Sequence, residues 1–394
     1  MLREGKLQPA HSRLGSHTVP VTEVVWIRER FPHMGNHSGY DLLCETLLRE
    51  GRLKSRSYWR RVRPLAPRRK KFLRSLATFA RGTHFYNEHS VAAELSASRS
   101  LLLKRRVAHV LYAENNLGLL RRFKWKAKII ATVHQPAGWW TGPVPAHALS
   151  RWPGGRYDLR EFFDRVDVLI ALSTASRDFL STVTGARVEF VPYGIDVDFF
   201  RPLPEEQWEE KVVGSSPSCL VVGHWLRDFA LLLSVIERVG DRSHEITFDL
   251  VIPAKAIAKH PDRAAIESLL QRANVRHHAG LSDSRLRQLY QSANLLLLPL
   301  KEASANSALL EALASGLPIV ASRIDGVVDY VDTECAALPD AADPEEMADS
   351  VLDILSSPEE QLSMGQAARR RAVERFSWER VAGDTRRVYE TAAP

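Results

Sequence analysis

Short apolar runs rich in Val, Ile and Leu alternate along this chain with stretches whose apolar residues recur every three or four positions. The first pattern predicts strands and the second amphipathic helices. In the first half, strands are predicted at VTEVVWI (21–27), VAHVLYA (107–113), AKIIATVH (127–134), VDVLIAL (166–172) and RVEFVP (187–192). Helices fall near 39–50, 89–103, 158–164 and 174–183. In the second half the strands are SCLVVG (218–223), EITFDLVI (245–252), NVRHHAG (274–280), ANLLLLP (293–299) and LPIVAS (317–322). Helices near 228–239, 262–273, 283–292 and 343–356 separate most of them. Strands that alternate with helices predict a parallel sheet covered on both faces. Two such sets predict an α/β protein of two doubly wound, Rossmann-like domains, assigned to 1–203 and 204–375. Between them RPLPEEQWEEKVVGSSPS (201–218) reads as a linker, and the chain from about 358 onward reads as helix.

Composition agrees with that division. A chain of 394 residues is too long for one ordinary core, and 45% hydrophobic with 26% charged residues is a globular balance. The longest apolar runs, such as LLLLPL at 295–300, fall far short of the ~20 residues that span a bilayer. The polar opening MLREGKLQPAHSRLGSHTVP has no signal-peptide core, and three widely spaced cysteines, Cys44, Cys219 and Cys335, form no metal pattern. Both fit a reducing cytoplasm.

Charge changes the picture locally. The net charge of +7 concentrates in 52–74, where Arg52, Lys54, Arg56, Arg60, Arg61, Arg63, Arg68, Arg69, Lys70, Lys71 and Arg74 interleave with Tyr58, Trp59 and Phe72. LKRR (103–106) and RRFKWKAK (121–128) add to it. Such a stretch fits a solvated face, peripheral contact with an anionic membrane or an anionic substrate, or nucleic acid.

The densest candidate chemistry is KEASANSALLEALASG (301–316). Glu302 and Glu311 are nine positions apart, roughly 13 Å along a single helix, so one helix does not pair them. Ala303–Ser307 instead reads as a loop, with Asn306 or Ser307 capping a helix that ends at Gly316. Free amides in that first turn form a natural phosphate site. A carboxylate nearby then suits hydrogen bonds from sugar hydroxyls, while solvated acids on a capped helix are the plain alternative.

The flanking LRQLYQSANLLLLP and GLPIVASRIDGVVDYV resemble the donor domain of glycosyltransferase family 4, whose members have the GT-B fold. VDVLIALSTASRDFLSTVTGARVEFVPYGIDVDFFRP (166–202) resembles the same family, with Tyr193 where Asn is usual. The likeness runs from about 21 to 390 and implies a closing helix at about 376–394 that crosses back to the first domain. It further implies metal-independent transfer of a sugar from a nucleotide diphosphate, UDP or GDP, to an acceptor hydroxyl with retention of configuration. No further cofactor and no nucleic-acid partner are implied.

Residue roles follow from the resemblance. Glu311 is expected to hold the nucleotide ribose, and amides at Asn306, Ser307 and Ala308 the diphosphate. The family's first acid stands eight before the second, where this chain has Ala303; Glu302, one residue early, is expected to serve the donor sugar. After Gly223 and His224, Arg227 is expected to neutralise the leaving group, but the Lys that many relatives carry is missing. In FPHMGNHSGYDLL (31–43), Gly35 and Gly39 with His33, Asn36, His37 and Ser38 resemble the family's glycine-rich first loop, with Gly35 and Asn36 expected at the diphosphate and His37 and Ser38 on the acceptor side. His134, at the end of a strand, is expected to contact the donor sugar, with Trp139 and Trp140 available to stack on an acceptor. Glu114, Asn115 and Asn116 stand at another strand end. Asp196-Val197-Asp198 has a metal-binding form but lies in the hinge passage, where a structural role is expected. Catalysis thus centres on His134, Arg227 and Glu302. Three other functions suit the same pattern: a nucleotide-sugar binder weakened in catalysis, a sugar-nucleotide epimerase, and a nucleic-acid-binding protein built on 52–74.

Overall fold

The computed structural model describes residues 22–31, 35–49, 51, 53–61, 64–103, 106–145, 152–214 and 216–392. The polar opening, His33, Arg52, Arg63 and the centre of LKRR lie outside them.

The first sheet contains β1 (Thr22–Glu29), β2 (Leu53–Arg60), β3 (Val107–Val110), β4 (Lys128–Val133), β5 (Val168–Ala171) and β6 (Arg187–Phe190). Its order is β2-β1-β3-β4-β5-β6 and every pairing is parallel. The second contains β7 (Ser218–Val222), β8 (Thr247–Val251), β9 (Val275–His278), β10 (Leu295–Leu298), β11 (Ile319–Ala321) and β12 (Ala336–Ala337). Its order is β12-β11-β10-β7-β8-β9, again all parallel. Strands β7 and β10 are buried along their whole length, as their largely apolar sequences require at the centre of a sheet covered on both faces.

Each winding reverses direction once, between β1 and β3 in the first sheet and between β7 and β10 in the second. At such a reversal, loops leaving adjacent strand ends part and open a crevice where ligands of doubly wound sheets bind. The glycine loop follows β1, Glu114 follows β3, Arg227 follows β7 and Glu302 follows β10.

Two stretches hold elements that the sequence pattern did not predict. Part of the basic stretch 52–74 is β2, an edge strand that turns Lys54 and Arg56 to solvent. The rest is helix Pro67–Ala80, which exposes Phe72 and Phe79 among its Arg and Lys residues. The linker 201–218 is mostly helix Glu205–Gly214, because Trp208 supplies an apolar anchor that packs against Gly365.

After the second sheet the chain returns to the first. In helix Trp378–Ala392, the Tyr389 hydroxyl accepts from Trp26 Nε1 at 3.1 Å and bonds His109 Nδ1 at 2.8 Å. Burial holds His109 neutral, its pKa lowered to about 3. Among the described residues no helix is long and apolar enough to cross a membrane.

Candidate active site

The second-domain wall is built from the loops after β7 and β10. Gly223 takes φ +89° and Leu226 φ +57°, which turns the chain tightly at the strand end. Arg227 closes this turn by donating to the carbonyls of Val222 and Trp225. It also donates to Asn306 Oδ1 at 3.3 Å, tying the two loops together. The backbones continue the link, with Asp228 N donating to Pro299 O and Lys301 N to Leu226 O. Arg227 is 7% exposed, and burial lowers its pKa to about 10, leaving it cationic at neutral pH. Its nearest conventional partner, the missing Lys, has no counterpart in the turn, and Lys301 on the facing loop is paired with Asp262. His224 offers its carbonyl to His260 Nε2, and Trp225 stands 52% exposed.

Asn306 caps helix Ser307–Ala314 by accepting from Leu309 N at 3.2 Å. The amides of Ser307 and Ala308 lie in the first turn, where no intrahelical acceptor exists. Glu311, one turn on, is 6% exposed and accepts from the Tyr290 hydroxyl at 2.8 Å. Burial pushes its carboxyl up to about 7, with Asp283 adding to the rise and the Tyr290 bond and Arg227 opposing it.

Glu302 leaves this wall and crosses the cleft. Its carboxylate lies against Gly138, so closely that a Cβ there would collide with Oε1. Partial burial raises its pKa. The one-residue offset in the sequence therefore still brings an acid to the first-domain loop that begins at His134.

On that side Glu114 organises the strand ends. Its Oε1 accepts from the amides of His134 and Gln135 at 2.6 and 2.8 Å. The His134 ring stacks on Tyr112 at 4.5 Å and meets the edge of Tyr40 at 5.4 Å. Its Nδ1 is 3.5 Å from Glu114 Oε2, an electrostatic contact too long for a good hydrogen bond. Both ring nitrogens are buried without a hydrogen-bond partner. The imidazole is thus held by its backbone and its ring contacts, with both nitrogens left without a hydrogen bond.

The glycine loop also reaches across. Asn36 N donates to Asp283 Oδ2 at 2.7 Å, and a Cβ on Gly35 would collide with that carboxylate. Arg30 holds the loop from behind through Gly35 O and Asn36 Oδ1. The cleft is thus bridged by Asn36–Asp283 and Gly138–Glu302.

Other predicted acceptor residues divide. His37 stacks on Phe199 with centroids 3.5 Å apart and binds Asp196 Oδ2 at 2.8 Å, so it fastens the glycine loop to the hinge passage. Asp196 Oδ1 accepts from the amides of Asp198 and Phe199, a turn that occupies the carboxylate structurally. Ser38 is partly buried in the turn before helix Tyr40–Arg49. Trp139 is partly buried and stacks on Phe85 at 5.5 Å. Trp140 does not present to an acceptor: it is 1% exposed and packs on Phe162 and Phe163 in the core. A Trp-Trp pair on a helix turn points in two directions, and only the first Trp is near the surface. Tyr290 and Asp283 join the site without a local sequence signal. Tyr290 is an apolar-face residue whose hydroxyl role depends on the neighbouring helix, and Asp283 reads from sequence as a helix-start acid.

The chain matches the family model for Glycosyltransferase Family 4 over residues 46–199 and that for Glycosyl transferases group 1 over 258–371. The MMP alpha-(1->4)-mannosyltransferase of Mycolicibacterium hassiacum is 31% identical over 316 residues, covering 76% of this chain and 74% of the relative. A D-inositol 3-phosphate glycosyltransferase of Kribbella flavida is 24% identical over 302 residues, covering 71% and 70%. Among solved structures, sucrose-phosphate synthase from Thermosynechococcus elongatus superposes with TM-score 0.69 at 17% identity, covering 94% of this chain and 98% of that one. Anabaena HepE in complex with UDP-glucose superposes with TM-score 0.63 at 12% identity, covering 94% and 99%.

Proposed function

The chain belongs to glycosyltransferase family 4 and is a glycosyltransferase of GT-B fold, and from that premise we propose a hexosyl transfer from a nucleotide diphosphate sugar to an acceptor hydroxyl. One observation carries the donor reading: Glu311 is a buried carboxylate one turn inside a helix whose free first-turn amides stand where the sheet winding reverses. The ribose hydroxyls donate to Glu311, and the diphosphate takes the amides of Ser307 and Ala308. Arg227 supplies positive charge behind Asn306. Glu302 and His134 line the sugar, and Gly35 and Asn36 close over the phosphates once Asp283 gives way. UDP or GDP is the leaving group, and the mannosyltransferase relative favours a hexose as the group transferred.

In the transfer, the bond between the anomeric carbon and the phosphate oxygen breaks as the acceptor oxygen approaches on the same face. The acceptor proton passes to the departing phosphate oxygen, so configuration is retained and no side-chain base is required. The protein's part is electrostatic: amides and guanidinium fixed in advance around developing negative charge. Closure of the two bridged walls excludes water from the donor.

The test is a thermal-shift panel of UDP-, GDP- and ADP-sugars, followed by nucleotide release with the strongest hit. At least one member is expected to stabilise the protein. Glu311→Ala is expected to abolish that stabilisation, whereas Glu302→Ala lowers turnover far more than binding. Stabilisation by no member, or equal activity in both variants, overturns the assignment.

A further inference from the structure

A cavity of about 820 Å³ opens in the first domain beyond the carboxyl ends of β1 and β2. Its floor is neutralised internally. Glu29 pairs with Arg60 through one oxygen, and its other oxygen accepts from Asn115 at 2.9 Å and Asn116 at 3.2 Å. Arg60 also donates to Ser90 and to Phe85 O, so this pair has no charge left to offer. Among the described residues no other carboxylate lines the cavity.

Two further guanidiniums border the same space. Arg30 donates only to neutral acceptors, Gly35 O and Asn36 Oδ1. Arg61 is exposed and lies 5.9 Å from the Trp59 ring. Neither has a carboxylate partner among the described residues. Trp59 itself is held from its other contact by Arg28, 4.2 Å over the ring and neutralised by Asp41. The cavity therefore carries two uncompensated positive charges beside the apolar faces of Trp59 and Phe85.

The cavity also adjoins the reaction cleft. Phe31, on its wall, meets Tyr112 edge-on at 5.1 Å, and Tyr112 stacks on His134. Phe85, on the opposite side, stacks on Trp139, next to Gly138 and hence to Glu302.

We infer that this cavity is the acceptor site and that Arg30 and Arg61 select an acceptor bearing a phosphate or another compact anion, with a ring or chain lying on Trp59. The inference rests on the transferase reading for the word acceptor, but the anion preference stands on the cavity alone. Guanidiniums suit this task because their donors match phosphate oxygens in pairs, and such charge-assisted bonds are stronger than neutral ones. A neutral sugar offers neither guanidinium an anionic partner.

The test uses titration calorimetry on the full chain with the probes glucose, glucose 6-phosphate and inorganic phosphate. Glucose 6-phosphate is expected to bind at least about tenfold tighter than glucose. It should also bind tighter than inorganic phosphate, because only the sugar phosphate reaches Trp59. Arg61→Gln and Arg30→Gln should each erase most of that preference. Arg74→Gln, on the same basic surface but outside the cavity, should preserve it. Arg61 is exposed, so its variant keeps the fold, and an unchanged melting temperature verifies this. Phosphatidylinositol vesicles serve as the second source of the same phosphate. Vesicle binding that depends on Arg61, without binding of the soluble sugar phosphate, assigns the anion to a lipid headgroup. Equal binding of glucose and glucose 6-phosphate with no Arg61-dependent vesicle binding overturns the inference, as does a preference indifferent to both arginines. If the nucleotide-sugar panel succeeds while this preference fails, only the anion assignment falls. An arginine-dependent preference in a protein that no nucleotide sugar stabilises sinks the nucleotide-sugar donor reading instead.

Discussion

On the second-domain wall of the cleft, Arg227, Asn306 and Glu311 are 7%, 6% and 6% exposed, and each is bonded to a neighbouring strand end or helix. On the first-domain wall, Arg30 and Arg61 stand in water, and the acid among them, Glu29, is spent on Arg60. The second wall has desolvated its charges during folding, so it meets a ligand without reorganising. The first wall keeps its charges hydrated, where salt screens them and where each is worth less. Changes on the buried wall, or on what it reaches, should therefore cost more than changes on the open one. His134 is the intermediate case: it sits on the first wall, but Glu114 holds its backbone and Tyr112 and Tyr40 hold its ring.

The sharpest break of this contrast is at Gly138. Alanine favours a helix over glycine, so Gly138→Ala should leave the five-residue turn Ala137–Thr141 at least as stable. Its methyl group would nevertheless displace the Glu302 carboxylate. A displacement of about 1 Å at a reacting centre costs about 10²-fold in rate. Turnover is expected to fall by about that factor, while the nucleotide-induced thermal shift stays intact. Unchanged turnover would mean that Glu302 does not act from its position against Gly138.

Glu311 provides a second test through pH. Burial raises its carboxyl from 4.5 to about 7. In the unliganded protein the neutral acid is favoured, so its contribution to stability is complete below about pH 4.5 and is lost as pH rises through 7. Ribose hydroxyls donate to the ionised form and reverse the preference. Nucleotide affinity should thus fall by up to tenfold per pH unit as pH drops below about 7, and level off above it. Glu311→Gln should remove this slope. An affinity flat between pH 5.5 and 7.5 in the unsubstituted chain would sever Glu311 from the ribose; the range is chosen to straddle the raised value of about 7.

What the sequence disclosed and concealed follows the same line between walls. The buried wall was legible because its strands carry dense apolar runs, LLLL at β10 and CLVV within β7, and its helix carries Asn306 and Gly316 at its ends. Strand β2 was not, because an edge strand presents charge to solvent, and LKSRSYWR has the composition of a basic tail. The helix Glu205–Gly214 was hidden by its flanking Pro and Ser; the burial of Trp208 against Gly365 and of Val212, with Lys211 donating to Ala293 O, anchors it as a helix. Trp140 looked like a ligand residue since local sequence does not tell which of two adjacent aromatics enters the core. Glu302 was one position from the family's spacing, yet a loop absorbs such an offset as a helix cannot. Asp283 depends on a contact across 247 positions, which no local pattern records.

That last contact offers the smallest and most discriminating change. Asp283 opens helix Asp283–Ser292, capped by Ser282, and its carboxylate occupies the Asn36 amide. A diphosphate closing against the same loop meets a like charge, which Asp283→Asn removes while keeping size and the helix cap. Nucleotide binding is expected to tighten by only a few fold, in line with a single partly screened charge. The substitution should also move the pH midpoint of nucleotide binding downward, because Asp283 helps hold the Glu311 carboxyl up. The two effects separate the possible roles of this bridge. Tighter binding with a lower midpoint makes Asp283 a stand-in for the ligand's charge. Weaker binding with the midpoint lowered all the same makes it a strut that holds the walls at their working distance, and the buried wall would then owe part of its preorganisation to the open one.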